Sequence, residues 1–154
     1  MFQRSKFGCK SLRKRRYSLT GGVYLITTNT RDRLPWFTET DLAVSMSRMI
    51  ETYLNNKYCR CLCWVIMPDH IHLLVQLKSA ELNSIINRLK SGSARTLNKQ
   101  IGRSGPFWQS GFHDHALRKE EEIKNIARYI IGNPIRAGLA KRYGDYPFWN
   151  AVWL

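Results

Sequence analysis

No run of about 18 apolar residues occurs in this chain, so no stretch has the length and apolarity of a membrane-spanning helix. The basic N-terminal residues lack the apolar core of a secretory signal, and the expected location is the cytoplasm. Acidic residues are scarce: 11 Asp and Glu stand against 25 Lys and Arg, a formal charge of +14 on 154 residues. That imbalance exceeds what solubility requires and points to a polyanionic partner. Cysteines are few as well, and a disulfide framework is not expected. Cys59, Cys61 and Cys63 alternate along one predicted strand, which would put them on a common face where neighbours are badly placed to bridge each other. Their spacing is not that of zinc ribbons or fingers, so they are expected to be reduced, small packing residues.

Aromatic residues make up 12% of the chain and are interleaved with the cations. Bases offer faces on which rings stack and phosphates offer charge, so nucleic acid fits this composition better than a membrane surface. The length suits one domain, residues 21–154, preceded by a basic arm over 1–20. The arm carries Arg4, Lys6, Lys10, Arg13, Lys14, Arg15 and Arg16 with little apolar content. Such a run is either a solvated tail or a nucleic-acid arm.

Alternating elements follow. A first strand is expected over 23–28, where β-branched and aromatic residues gather. A helix follows over 39–55, with Thr38 as N-cap and Leu42, Met46, Met49, Ile50 and Tyr53 as its apolar stripe. Residues 58–67 and 70–77 read as a hairpin turning at Pro68-Asp69. A second helix over 81–101, a fourth strand over 112–118 and a third helix over 119–133 complete the order βαββαβ plus a C-terminal helix. The fold class expected is α+β, an antiparallel sheet of ferredoxin-like or RNA-recognition-motif type with strands one and three central. The second strand is apolar on both sides, Cys61, Cys63 and Val65 on one and Leu62, Trp64 and Ile66 on the other. The third helix is the available cover for the second face.

His70-Ile71-His72 carries the chemistry. On a strand both imidazoles point one way while Ile71, Leu73, Val75 and Leu77 point the other. Two neutral imidazoles fill only part of a divalent cation's coordination sphere and leave room for a third ligand and for substrate oxygens. Two histidines on a strand are otherwise ordinary polar-face residues. On the third helix Tyr129 and Asn133 stand four apart and would share a face. A tyrosine oxygen there could reach a metal-bound phosphate while the Asn133 carbonyl met the same metal. The plainer alternative makes Tyr129 a packing residue and Asn133 a stop before Pro134. His113 and His115 alternate on the fourth strand, two strand spacings from the pair, which favours an outer-sphere or DNA-contacting role over shared coordination.

The ordered set Met67-Pro-Asp-His-Ile-His72, Trp108-Gln109, Phe112-His-Asp-His115 and Tyr129-Ile-Ile-Gly-Asn133-Pro-Ile-Arg-Ala-Gly-Leu139 resembles the REP-associated tyrosine transposases, single-tyrosine members of the His-hydrophobic-His single-strand nucleases. The resemblance covers residues 21–139. Related insertion-sequence transposases carry Gln four residues after the tyrosine, and Asn133 followed by Pro134 favours the REP-associated branch. The resemblance implies covalent transesterification on single-stranded DNA: His70, His72 and Asn133 hold Mg²⁺ or Mn²⁺, and Tyr129 attacks to give a 5′-phosphotyrosine and a free 3′-hydroxyl. The implied partner is a hairpin with a short single-stranded tetranucleotide at its foot, bound by a monomer or homodimer. Arg13, Lys14, Arg15 and Arg16 of the arm, with Arg88, Lys90, Arg95, Lys99 and Arg103 of and just beyond the second helix, are the candidates for its backbone. Trp36, Phe107 and Trp108 are either base-stacking or core residues. Two other classes stay open at this point: a non-catalytic ferredoxin-like nucleic-acid-binding module, and a metal-dependent phosphodiester hydrolase that forms no protein adduct.

The charge balance sets an expectation for binding. Affinity for a hairpin oligonucleotide should fall steeply with salt, the log–log slope being about −0.7 to −0.9 per phosphate contacted. Removing residues 1–16 should flatten that slope in a fluorescence-anisotropy titration. An unchanged slope and affinity would make the arm only a tail.

Overall fold

A computed structural model describes residues 21–153; the arm, with Arg13, Lys14, Arg15 and Arg16, lies outside the described residues. Val23–Asn29 form β1. The four-residue spacing of the buried Leu42, Met46, Ile50 and Leu54 gives α1, Thr40–Leu54, a single apolar side. Cys59–Met67 (β2) and His70–Leu77 (β3) pair as the expected hairpin about Pro68-Asp69. Helix α2, Leu82–Ile101, buries Leu82, Ile85, Ile86, Leu89 and Leu97 and stops at Gly102, whose φ of 65° is the left-handed C-cap that glycine adopts without a steric penalty. Then come β4 (His113–Leu117), α3 (Glu120–Ile131), α4 (Asn133–Arg136) and β5 (Trp149–Ala151). Among the described residues no helix is long and apolar enough to cross a membrane.

The strands form one antiparallel sheet in the order β4-β1-β3-β2-β5. This is the α+β architecture expected, with β1 and β3 inside. Strand β5 is an addition. Three residues are too few to show an alternating pattern, and Trp149–Ala151 is a strand because it finds an open edge at Cys63, Trp64 and Val65.

Each face of the sheet has its own core. Ile26, Ile66, Ile71, Leu73 and Val75 pack with the apolar sides of α1 and α2. On the other face Val23, Cys63, Val65, Leu74 and Leu117 lie with Ala127, Ile130 and Ile131 of α3. The third helix is thus the cover that the two-sided apolarity of β2 demanded.

Three local expectations are corrected. The cysteines do not share a face: Cys61 opposes Val75 but Cys63 opposes Leu74, a bulge that shifts the register. The extra residue reverses the alternation beyond it, so Cys59 and Cys61 face the first core with Trp64 and Ile66, while Leu62 and Cys63 face the second with Val65. Burial pushes the Cys63 thiol up to about 12, in keeping with an inert packing residue. Next, Thr38 does not cap α1. Its hydroxyl donates to the Pro35 carbonyl, and Glu39 occupies the N-cap position without a side-chain cap. Last, the third helix does not run to Asn133; it ends at Ile131 and a short helix begins at Asn133. Pro134 has no N–H for the Ile130 carbonyl, and its ring would collide with that carbonyl in a continuous helix.

Because α3 is held on the sheet by few large side chains, truncating one should be costly. Ile130, 1% exposed, is the deepest of them. Ile130→Ala should cost about 2–5 kcal/mol in urea unfolding, and a loss under ~1 kcal/mol would mean that α3 is not anchored by this core.

Candidate functional site

The second face of the sheet is apolar at one end and polar at the other. Side-chain alternation puts His70, His72 and Leu74 of β3 on this face, and the register sets Asn29 opposite His70 and Thr27 opposite His72. The imidazole centres are 4.9 Å apart with planes at 81°, so the rings converge without stacking.

Both rings are oriented through Nδ1. In His70 this atom is 2.7 Å from Asp69 Oδ1, and in His72 it is 2.8 Å from Thr27 Oγ1. A carboxylate on Nδ1 selects the tautomer whose Nε2 carries the lone pair, and a hydroxyl at Nδ1, which can accept or donate, fixes the orientation of the ring. Asp69 is held in turn by Arg33, whose Nε donates to Oδ2 at 2.8 Å. Burial pushes the Asp69 carboxyl up, but hydrogen bonds and positive charge from His70 and Arg33 outweigh it and leave the carboxyl below its ordinary value. The turn that delivers Arg33 is strained: Asp32 and Arg33 both adopt positive φ, 56° and 55°, at order 1–3 kcal/mol each for non-glycine residues. His72 is harder to protonate than an ordinary histidine, at about 3, because burial strips its solvation and because His70, Arg136 and Arg33 add positive charge. It is therefore a neutral imidazole across the physiological range.

The break after α3 shapes the other half of the site. Tyr129, in the last turn of α3, is 45% exposed, and Asn133 opens α4. Arg136 ties them together. Its guanidinium carbon lies 3.8 Å over the Tyr129 ring, Nη2 donates to the Tyr129 carbonyl at 2.5 Å, and the same nitrogen donates to Asn133 Oδ1. Arg136 is among the charges that act on His72, and α4 packs on β2, the strand beside β3. No three His, Cys, Asp or Glu side chains form a metal-holding group among the described residues. Asn133 offers an amide oxygen, which here accepts from Arg136.

His113 and His115 stay apart from the pair. Strand β4 adjoins β1 on the side away from β3, and His113 sits opposite Thr27, lining a small cavity with Thr27, Asn29 and Gln109. His115 is turned toward α3, its Nε2 4.0 Å from Glu122 Oε1.

The candidate DNA cations divide. Arg88, Arg95 and Lys99 are exposed, but α2 packs on the first face of the sheet, opposite the histidines. Lys90 is engaged in the fold: its ammonium donates to the Gln109 carbonyl at 2.7 Å and to that of Gly111, and burial lowers it to about 8. Arg103 donates to the Pro106 carbonyl at 3.0 Å and lies 5.4 Å over Trp36. Phe107 and Trp108 are 1% and 6% exposed and pack against Phe37 in the first core, Phe107 edge-on and Trp108 tilted, which settles packing over base stacking for both.

Asp69 and Thr27 were not anticipated. Asp69 stands next to His70 in sequence, where its adjacency was a usable signal. Thr27 is separated from His72 by 45 residues and could be found only through the strand register.

Comparison with known proteins shows the class, a transposase. Residues 19–133 match the family described as transposase IS200 like, and the chain belongs to that family. It is 26% identical over 137 residues to the REP-associated tyrosine transposase of Escherichia coli K12, a match spanning 87% of this chain and 79% of that one. It is 30% identical over 148 residues to a putative REP-associated tyrosine transposase of Haemophilus influenzae, spanning 87% and 82%. Among solved structures it is similar in fold to a REP-associated tyrosine transposase bound to a REP hairpin, with TM-score 0.69, 24% identity and coverage of 88% and 79%.

The state of His72 has a measurable consequence for stability. With its folded value at about 3 against an ordinary 6.5, the unfolded chain takes up a proton that the folded chain refuses, so this residue lowers stability as pH falls from about 6.5 toward about 3. His72→Asn should therefore lose less stability than the parent between about pH 7 and about pH 4.5 in urea unfolding. Parallel curves would contradict the assignment of His72 as a buried neutral ring.

Proposed function

We propose that this chain cleaves and rejoins single-stranded DNA at REP-type hairpins through a covalent link to Tyr129, with a divalent cation, Mg²⁺ or Mn²⁺, at His70, His72 and Asn133. The observation that carries the reading is the convergence of two imidazoles, each held at Nδ1, on the sheet face that α3 covers, with Arg136 joining Tyr129 to Asn133 where that helix ends. Neutral nitrogen and amide oxygen donors suit such a cation, and the residues present fit it. Bound there, the cation would polarise the scissile phosphate and stabilise the charge that develops on it.

The remaining chemistry belongs to the protein. The Tyr129 oxygen attacks phosphorus, its bond to phosphorus forms as the bond to the 3′ oxygen breaks, and the phenol proton is released while the departing oxygen gains one. The products are a 5′-phosphotyrosine and a free 3′-hydroxyl. One phosphodiester replaces another, so a second 3′-hydroxyl can displace Tyr129 without an external energy source. Arg136, stacked on the nucleophile, supplies a positive charge where the phosphate must approach.

The hairpin as partner is supported by the fold neighbour, a REP-associated tyrosine transposase bound to a REP hairpin, and by the +14 charge. Since α2 lies across the sheet from the histidines, Arg88, Arg95 and Lys99 would hold duplex that passes a sheet edge before its unpaired foot reaches Tyr129. His113 lies on the side of the histidine pair, where it would meet unpaired DNA, and His115 would act at most indirectly through Glu122.

The test is incubation with labelled hairpin oligonucleotides and Mn²⁺ followed by denaturing electrophoresis. Wild-type protein should form an adduct that peptide mapping locates on Tyr129. Tyr129→Phe should lose the adduct while keeping hairpin affinity within about twofold, since only a hydroxyl is removed. His70→Ala and His72→Ala should also lose it. Cleavage without an adduct would favour a hydrolase, and neither cleavage nor adduct would favour a binding module.

A further inference from the structure

Arg136 makes more contacts across the site than any single role requires. It stacks on the Tyr129 ring, binds the Tyr129 carbonyl, and donates to Asn133 Oδ1, the oxygen offered to the cation in the strand-transfer reading, on which this inference rests. A guanidinium and a divalent cation sharing one amide oxygen repel each other strongly at such separations. The surrounding backbone preserves the contact. A Cβ placed at Gly132 would come 2.8 Å from Arg136 Nη1, so a larger residue there would push the guanidinium out of its present place. Gly132 has an ordinary negative φ of −81°, so the requirement is one of room rather than of backbone conformation.

We propose that Arg136 is a positioning residue that couples metal binding to DNA binding: it holds Asn133 Oδ1 in the DNA-free protein and releases it to the cation when an incoming phosphate takes the guanidinium. Phosphate is the better partner, because a guanidinium fork binds two of its charged oxygens where the amide offers one neutral oxygen. Release of Asn133 then completes the ligand set at the moment the scissile phosphate is present. The stack on Tyr129 is made by the same group, so the nucleophile is presented to the phosphate that opens the latch. Linkage makes the effect reciprocal: hairpin DNA tightens the metal, and the metal tightens DNA.

The experiment measures Mn²⁺ affinity by electron paramagnetic resonance, with and without a hairpin oligonucleotide. All proteins carry Tyr129→Phe, which keeps a ring under Arg136 but prevents turnover. In this parent, DNA should tighten Mn²⁺ by about tenfold, within the usual range for coupled sites. Arg136→Ala should bind Mn²⁺ more tightly than the parent without DNA, and the effect of DNA should shrink severalfold, to what direct contact of phosphate with the metal supplies. Gly132→Ala, which keeps the arginine but displaces its flexible end, should shift both values the same way, with circular dichroism confirming that both variants fold. A merely structural arginine predicts the opposite sign, since loosening the turn would weaken Mn²⁺. Unchanged or weaker DNA-free affinity in either variant overturns the coupling. If Mn²⁺ binds the parent and Tyr129 forms its adduct in the wild type, that result leaves the strand-transfer reading intact; if the parent binds no Mn²⁺, both fall.

Discussion

The structure depends on the need to cover the second face of the sheet. Strand β2 is apolar on both sides, and once α1 and α2 occupy the first face, Leu62, Cys63, Val65 and Met67 must be removed from water by something else. Helix α3 is amphipathic enough to do so, and Ala127, Ile130 and Ile131 bury against that face at a gain of roughly 25 cal/mol per Å² of apolar surface. The break at Gly132-Asn133-Pro134 falls at the border of that buried stretch. Hydrophobic burial thus holds on the histidine face the helix that carries Tyr129 and the turn that carries Asn133, and no direct attraction between tyrosine and histidine is required.

At that border the electrostatics are prepared by neighbours on several elements. Asp69 comes from the hairpin turn, Thr27 from β1, Arg33 from a loop held in positive-φ conformation and Arg136 from α4. Their combined effect is a neutral His72, a carboxylate that fixes His70, and a guanidinium stacked on Tyr129. A bare pair of histidines on a solvated strand would titrate near neutrality and turn freely; here burial and hydrogen bonding restrict both rings. The positive charge that adds to burial in keeping His72 neutral also opposes a second cation in the same place, and in the proposed coupling DNA phosphate resolves that conflict.

Much of this was legible in the residues. Period-two alternation in β3 showed that His70 and His72 share a face, and the same period marked β2 as covered on both sides. Four-residue spacing located the three long helices to within a residue or two at most ends. These signals survive because side-chain direction follows directly from local backbone geometry. The boundaries went astray where a long-range or single-residue effect intervened: a bulge that reversed Cys63 relative to Cys61, and Pro134, which ended α3 although Asn133 continued its pattern. The fold role of Lys90 was hidden for a similar reason. Its partners are carbonyls of Gln109 and Gly111 about 20 residues away, and a lysine on a helix surface carries no mark of where its flexible ammonium will settle.

The sequence by itself determined the element order, the shared face of the histidine pair, the charge that calls for a polyanion and the ordered motifs that place the chain among transposases. Each of these is local or additive. Tertiary structure alone decided that Thr27 orients His72, that β4 keeps His113 away from the pair, that α2 carries its cations on the far side of the sheet, and that Arg136 joins Tyr129 to Asn133. Those facts depend on strand order, register and the crossing of a helix over a sheet, which are set by the packing of the whole chain and are written in no single segment of it.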